Sequence, residues 1–260
     1  MVSHLPHKNI LIVSGYRQPN PLLHSLRIRT IPNMAGPRRL SFGFVGLGNM
    51  GSMISQNLAI YAQSQGFPRV QLWNRTRDKA EQHAQQGFFD VAGSLEDLAK
   101  SCDVIHACLA NDEVALSIYR QILKAAKPGL ILVDHSTLFP TTSSALYADA
   151  DAQGSSFLSC PLFGPPAAAR SAGLLVVLSG KAEARETAKR YVVPSIGKAI
   201  IDCGDDTSKG ALLKILGNSC ILGTIELMSE SFTLAEKTGF DAGLFYEFIR
   251  KFWFLKHPRT

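Results

Sequence analysis

The first 77 residues contain no aspartate or glutamate; the earliest acidic side chain is Asp78. Over the whole chain 27 lysines and arginines stand against 21 acids, a net charge of +6. The basic residues ahead of Asp78 are scattered, and no RNA-binding or zinc-finger signature accompanies them, which argues against a nucleic-acid partner. No two of the five cysteines (Cys102, Cys108, Cys160, Cys203, Cys220) form a CxxC unit, and their number is odd. They read as free thiols of a reducing compartment, with no metal site. An uninterrupted apolar run of bilayer length is also missing. The most apolar long window, 211–228, carries Lys214, Asn218 and Glu226, each costly in a membrane core, and so reads as a helix of a soluble protein with no membrane partner. At 260 residues and 46% hydrophobic, the chain can bury one or two cores.

Residues 1–40 hold Arg17, Arg27, Arg29, Arg38 and Arg39, several prolines and no acid, the composition of a mitochondrial presequence. Pro19, Pro21 and Pro32 interrupt any long amphipathic helix there. Two readings stand, a presequence and a disordered extension outside the fold, with Met34 as an alternative start. The second is favoured, which places cytoplasm ahead of mitochondrion.

From residue 41 the pattern becomes regular. "LSFGFVG" reads as a buried strand, "NMGSMISQNLAIYAQSQG" as a helix with Ile54, Leu58 and Tyr61 at spacings of four and three, and "RVQLWNR" as a second strand. "SLEDLAKSC" opens on Ser94 with Asp97 three residues later, close to a capping box. "DVIHACLA", "GLILVDHST" and "SSFLSCPL" read as further strands, separated by helical segments of ten to fifteen residues. This alternation predicts βαβ units with right-handed crossovers and a parallel sheet.

The glycines Gly46, Gly48 and Gly51 follow the first strand and open the first helix, the context in which a GxGxxG pattern holds a dinucleotide. Gly46 permits a tight turn, Gly48 leaves the backbone bare for a pyrophosphate, and Gly51 lets helix and strand pack closely. The phosphates would meet a helix N-terminus. At the end of the second strand, where an NAD site places an acid, this chain has Asn74, then Arg75 and Thr76. A guanidinium and a hydroxyl suit a 2′-phosphate, so the expected cofactor is NADP.

From 208 to 239 a single helical pattern runs without proline, on the order of 40 Å at 1.5 Å per residue. It should begin a second, all-helical domain. Lys214 and Asn218 share one of its faces, among Leu212, Leu213, Ile215 and Leu216, and mark the expected meeting of the two domains.

The set "GFVGLGNMGSMISQNLA", "WNRT", "VDHSTLFP", "GLLVVLSG" and "KGALLKILGNS" resembles the β-hydroxyacid dehydrogenases, the group that contains 3-hydroxyisobutyrate dehydrogenase and the cofactor domain of 6-phosphogluconate dehydrogenase. The resemblance implies a Rossmann-type doubly wound parallel sheet over 41–204, followed by a shortened all-α domain over 205–260 that begins with the long helix. It implies an NADP-dependent oxidoreductase acting on a hydroxy acid or its semialdehyde. Lys214 would be the general acid/base and Asn218 would hold the substrate oxygen. Ser136, Thr137 and Gly164 would bind substrate. Gly46, Leu47, Gly48, Asn49, Met50, Gly51, Asn74, Arg75, Thr76, Leu109 and Ala110 would hold the cofactor. Family members commonly dimerise through their C-terminal helices, so a homodimer is expected.

Two departures stand out. "SCPLFGPP" replaces the family's Asp-Ala-Pro-Val-Ser-Gly-Gly, with Phe163 at a serine position and Pro165 at a glycine position, which argues for a larger or less polar substrate. The chain also stops 46 residues past Lys214, as a truncated or misspliced product would, leaving an apolar face from Phe245 to Phe254 short of packing. An imine reductase, or a cofactor-binding protein without turnover, are the alternative classes.

Overall fold

The computed structural model describes residues 39–253, so nearly all of the basic N-terminal segment, and Phe254, lie outside the described residues. Strands β1 (Phe42–Val45), β2 (Val70–Trp73), β3 (Phe89–Val91), β4 (Val104–Ala107), β5 (Ile131–Asp134) and β6 (Ser156–Ser159) alternate with helices α1 (Asn49–Ser64), α2 (Arg77–Ala84), α3 (Leu95–Ser101), α4 (Asp112–Lys124) and α5 (Pro140–Ala152). There follow β7 (Leu162–Phe163), α6 (Pro166–Arg170), β8 (Leu174–Gly180), α7 (Ala182–Ser195), β9 (Gly197–Asp202), α8 (Thr207–Lys237) and α9 (Ala242–Trp253).

The sheet order begins β3-β2-β1-β4-β5-β6, and every pair among these six is parallel. Strands buried on both faces read as continuous apolar runs, as in "FGFV" and "VIHA", where all four residues are buried. One core lies on the side of α1 and α7, built around Ile54, Leu58, Ala188 and Tyr191; the other lies beneath α3, α4 and α5, around Leu98, Tyr119, Ile122 and Leu146. Connections from β1 run to one face and those from β4 to the other. The loops after β1 and β4 therefore part, and a crevice opens at the C-terminal ends of these two strands.

Sequence signals account for most boundaries. Ser94 caps α3 by accepting from the Asp97 N–H at 3.1 Å, as its spacing predicts. Three elements carry no such signal. β3 is three residues long, and β7 is two residues set off from β6 by Cys160 and Pro161, the latter without an N–H for a ladder. β8 runs antiparallel to both β6 and β7, ending the parallel series that simple alternation predicts.

α8 is one uninterrupted helix of 31 residues, about 46 Å long. Thr207, Gly210 and Ala211 of its first turns are buried, and it packs against α5 and β8. The expectation that Leu212 and Leu216 flank a buried face is corrected: they are 45% and 57% exposed. Positions 210, 214 and 217 fall on one face of the helix, and 212 and 216 lie about 200° away from 214 at 100° per residue. α9 folds back so that Phe245 meets Phe232 edge-on at 5.0 Å, with Ile249 buried beside it.

Candidate functional site

A cavity of about 520 Å³ occupies the crevice between the ends of β1 and β4, within the range of small-molecule and cofactor sites. Gly46, Leu47, Gly48, Asn49 and Met50 form its floor, Trp73, Asn74, Arg75, Thr76 and Lys79 one wall, and Cys108, Leu109, Ala110, Val114 and Ile118 the other. The three glycines divide their work. A Cβ on Gly46, which has φ +91°, would press on the Cys108 carbonyl oxygen, and one on Gly51 would collide with the Gly46 carbonyl; both are packing requirements of the turn. A Cβ on Gly48 would meet nothing within 4 Å. The bare backbone there faces open space, which is what close approach of a ligand needs. Like α2, α5, α6 and α7, and unlike α3, α4 and α8, helix α1 has no side-chain cap; it begins after Gly48. Its positive end stays available to an anion.

Asn74 braces this cradle. Its Oδ1 accepts from the Leu47 N–H at 3.0 Å and its Nδ2 donates to the Thr76 carbonyl at 3.0 Å, so the amide fixes the glycine turn against the loop after β2. Arg75, Thr76 and Lys79 are exposed along the same wall, and neither cation has an ion-pair partner among the described residues. Arg77, by contrast, is committed to Glu81 at 2.7 Å. Lys79, Trp73, Val114 and Ile118 were not singled out in the sequence. Lys79 lies in the first turn of α2, a helix whose sequence reads as plain polar surface.

Lys214 and Asn218 are brought together on the α8 face that meets β7. Lys214 Nζ donates to the Leu162 carbonyl at 2.6 Å and lies 4.3 Å above the centre of the Phe163 ring. It is half-buried, and burial lowers its pKa below the ordinary lysine value. Asn218, also half-buried, makes no side-chain hydrogen bond among the described residues. Gly164, at φ +142°, turns the chain after Phe163. Thr137 is exposed.

Ser136 is buried, and its hydroxyl is engaged twice. It donates to Asp134 Oδ1 at 2.8 Å and accepts from the Leu109 N–H at 2.8 Å, tying the loop after β5 to the cavity wall. Asp134 also accepts from the Tyr119 hydroxyl, at 3.0 Å, and burial pushes its carboxyl up to about 7. His135 Nδ1 sits 2.9 Å from the Cys160 carbonyl, which can only accept, so that nitrogen carries the proton. Its bare Nε2 then accepts from His106 Nδ1 at 2.9 Å, and His106 Nε2 accepts from the Tyr191 hydroxyl at 3.1 Å. Burial holds His135 down to about 4 and His106 well below the usual histidine range. His135 is thus a structural member of a closed, neutral chain, not a polar contact for a ligand.

A doubly wound sheet whose glycine turn opens onto an uncapped helix at the switch point defines a dinucleotide-binding protein. Residues 41–204 match the family model described as the NAD binding domain of 6-phosphogluconate dehydrogenase. The chain is 33% identical over 193 residues to the NADH-dependent oxidoreductase ucdB of Aspergillus ustus, covering 74% of this chain and 64% of that protein. It is 29% identical over 234 residues to the mitochondrial 3-hydroxyisobutyrate dehydrogenase of Rattus norvegicus, covering 89% and 66%. The structure of 3-hydroxyisobutyrate dehydrogenase from Mycobacterium tuberculosis superposes with a TM-score of 0.74 at 28% identity, over 82% of this chain and 70% of that one. The chain belongs to the β-hydroxyacid dehydrogenase family, and it spans about two thirds of the length of these relatives.

Proposed function

We propose that the protein is an NADP-dependent oxidoreductase of the β-hydroxyacid dehydrogenase type, moving a hydride between a hydroxy compound and its aldehyde or keto form. The observation that carries this reading is a half-buried lysine, with a lowered pKa, on the helix that packs against a dinucleotide-binding sheet. The Gly48 opening, the free start of α1 and the aligned cations fit a dinucleotide bearing a 2′-phosphate. The Aspergillus relative is named for NADH. What supports NADP here is local: no carboxylate stands at position 74, and Arg75, Thr76 and Lys79 share one wall. When bound, the nicotinamide supplies or accepts the hydride.

The chain's own residues manage the proton. As ammonium, Lys214 gives a proton to the carbonyl oxygen as it becomes a hydroxyl; as amine, it takes that proton back in the reverse direction. An ordinary lysine near pKa 10.4 is a poor base at neutral pH, and burial moves Lys214 toward the working range. Asn218, one turn on and without another partner, orients the same oxygen. Ser136 acts by fixing the Leu109 wall, and Thr137 and Gly164 border the substrate.

We assign residues 41–204 to the cofactor domain and α8 onward to a helical domain. The exposed apolar residues Leu216, Leu222, Ile225, Leu244 and Phe252 suit a homodimer through α8 and α9. α8 is long and apolar enough to cross a membrane, and little of its apolar stretch is buried; its first turns pack on α5 and β8, which favours a protein-facing role. Free thiols throughout suit the cytoplasm.

Lys214→Ala tests the reading. It should lower turnover of hydroxy compounds by about 10²–10⁴-fold while leaving NADPH affinity unchanged. Turnover of cyclic imines that survives the substitution identifies an imine reductase, and tight NADPH binding with no turnover by the unaltered chain identifies a binder.

A further inference from the structure

Phe163 occupies a position that the mechanism above leaves unexplained. Its ring reaches into α8 at Gly217, where any Cβ would overlap the ring's Cζ and Cε1 atoms. The aromatic is therefore seated in a notch that glycine alone provides, with the Lys214 ammonium 4.3 Å from its centre. An oxygen that takes a proton from Lys214 must come within about 3 Å of Nζ. The rest of such a substrate then lies against the ring.

The polar groups around that spot are few. One N–H of Lys214 is already given to the Leu162 carbonyl. Next in the chain come Gly164, Pro165 and Pro166, and a proline has no N–H to offer. The Ala168 and Ala169 N–H groups turn back to the Pro165 carbonyl, at 2.9 and 3.2 Å. Ser136 donates its hydroxyl hydrogen to Asp134. A carboxylate entering here meets an aromatic ring and prolines, and its side-chain donors are the Lys214 ammonium and the Asn218 amide. These are the two groups that hold the reacting oxygen, so a carboxylate that takes them competes with the reaction, and one that does not is left short of hydrogen bonds.

We infer that Phe163 sets the substrate class: the site beside Lys214 takes a neutral, apolar alcohol or carbonyl compound and discriminates against one bearing a carboxylate on the carbon adjacent to the reacting carbon. This deepens the proposed function and rests on it for the placement of substrate at Lys214.

The test compares two alcohols with the same HOCH₂–CH(CH₃)– core, 2-phenylpropan-1-ol and 3-hydroxyisobutyrate, titrated into the full chain loaded with NADPH. The reduced cofactor cannot oxidise an alcohol, so the readout is binding alone, followed by nicotinamide fluorescence. The phenyl compound should bind at least tenfold more tightly. Phe163→Ser should shrink that ratio at least tenfold, and Phe163→Leu should keep it within threefold. Unchanged NADPH affinity in each variant reports an intact fold. Equal or tighter binding of 3-hydroxyisobutyrate to the unaltered chain, binding of neither probe, or a serine variant with the original ratio would overturn the inference. A separate assay of 2-phenylpropan-1-ol oxidation with NADP⁺ judges the dehydrogenase reading: the expected binding ratio without oxidation removes the activity and leaves the binding class standing.

Discussion

Alanine at Gly48 and alanine at Gly51, three residues apart in one motif, should fail in different ways. At 51 the added Cβ would stand 2.0 Å from the Gly46 carbonyl oxygen. Both atoms belong to the backbone junction of β1 and α1, so relief requires moving the helix by more than an ångström off a core in which Ile54 and Leu58 are fully buried. Overpacking that a flexible side chain could relieve costs about 1–3 kcal/mol, and here the obstacle is rigid. A loss of about 3 kcal/mol or more follows, a large part of the roughly 5–15 kcal/mol that separates a folded domain from its unfolded chain. At 48 the Cβ meets nothing within 4 Å, and the backbone, at φ −71° and ψ −172°, suits alanine. Losing a glycine cap and stiffening the unfolded chain are each worth about 0.5 kcal/mol and oppose one another, so stability should change by under about 1 kcal/mol. The same methyl projects into the space reserved for the pyrophosphate, and NADPH affinity should fall by about 100-fold or more, which corresponds to about 2.7 kcal/mol. Urea unfolding and cofactor titration of both variants decide the matter. A Gly48→Ala protein that binds NADPH normally, or that unfolds as easily as Gly51→Ala, refutes the division of roles among the glycines.

The buried polar chain predicts how stability responds to acid. His106 and His135, held below their unfolded pKa of about 6.5, contribute stability that is full above that value and is lost as pH falls through their folded pKa values. Asp134, raised to about 7, contributes in the opposite sense, and its share is lost as pH rises through 7. Two histidines outweigh one aspartate between about pH 4.5 and 6.5, so these three groups give a net rise of up to about 1.4 kcal/mol per pH unit; urea midpoints that fall as pH rises across that window contradict the network. Ser136→Ala strips Asp134 of a donor and leaves the Leu109 N–H without its acceptor, and should cost about 1–3 kcal/mol in urea unfolding. A neutral effect would mean that Ser136 serves only the substrate.

The cofactor half of the site was legible because it is local. A glycine turn, the strand before it and the helix after it are contiguous, and the "WNRT" segment declares its charge within a few residues. Lys79 escaped only because it sits inside a helix that reads as plain polar surface. The face proposed to take substrate was less legible, since it depends on where α8 meets β7. That Lys214 and Asn218 share a helix face was readable from their spacing, but which leucines accompany them was not: Leu212 and Leu216 face out because Gly210 and Gly217 let the opposite side of the helix lie close to Ser179 and Phe163. The antiparallel β8 was hidden for a similar reason, since "LLVVLSG" is as apolar as a buried parallel strand and nothing in it reports direction. A strand-end histidine such as His135 reads as structural, but its partners were not readable, because they lie 25 and 29 residues away.

The proposed cofactor, NADP, is tested most directly by one titration. NADPH and NADH are added in turn to the purified chain and to Arg75→Asp, with nicotinamide fluorescence as the signal. An Arg75 guanidinium that forks onto the 2′-phosphate should give NADPH an advantage of at least tenfold, about 1.4 kcal/mol, and the aspartate should abolish it or reverse it toward NADH. Equal affinities in the unaltered chain, or an NADPH preference that survives the substitution, would contradict the assignment of the Arg75 wall.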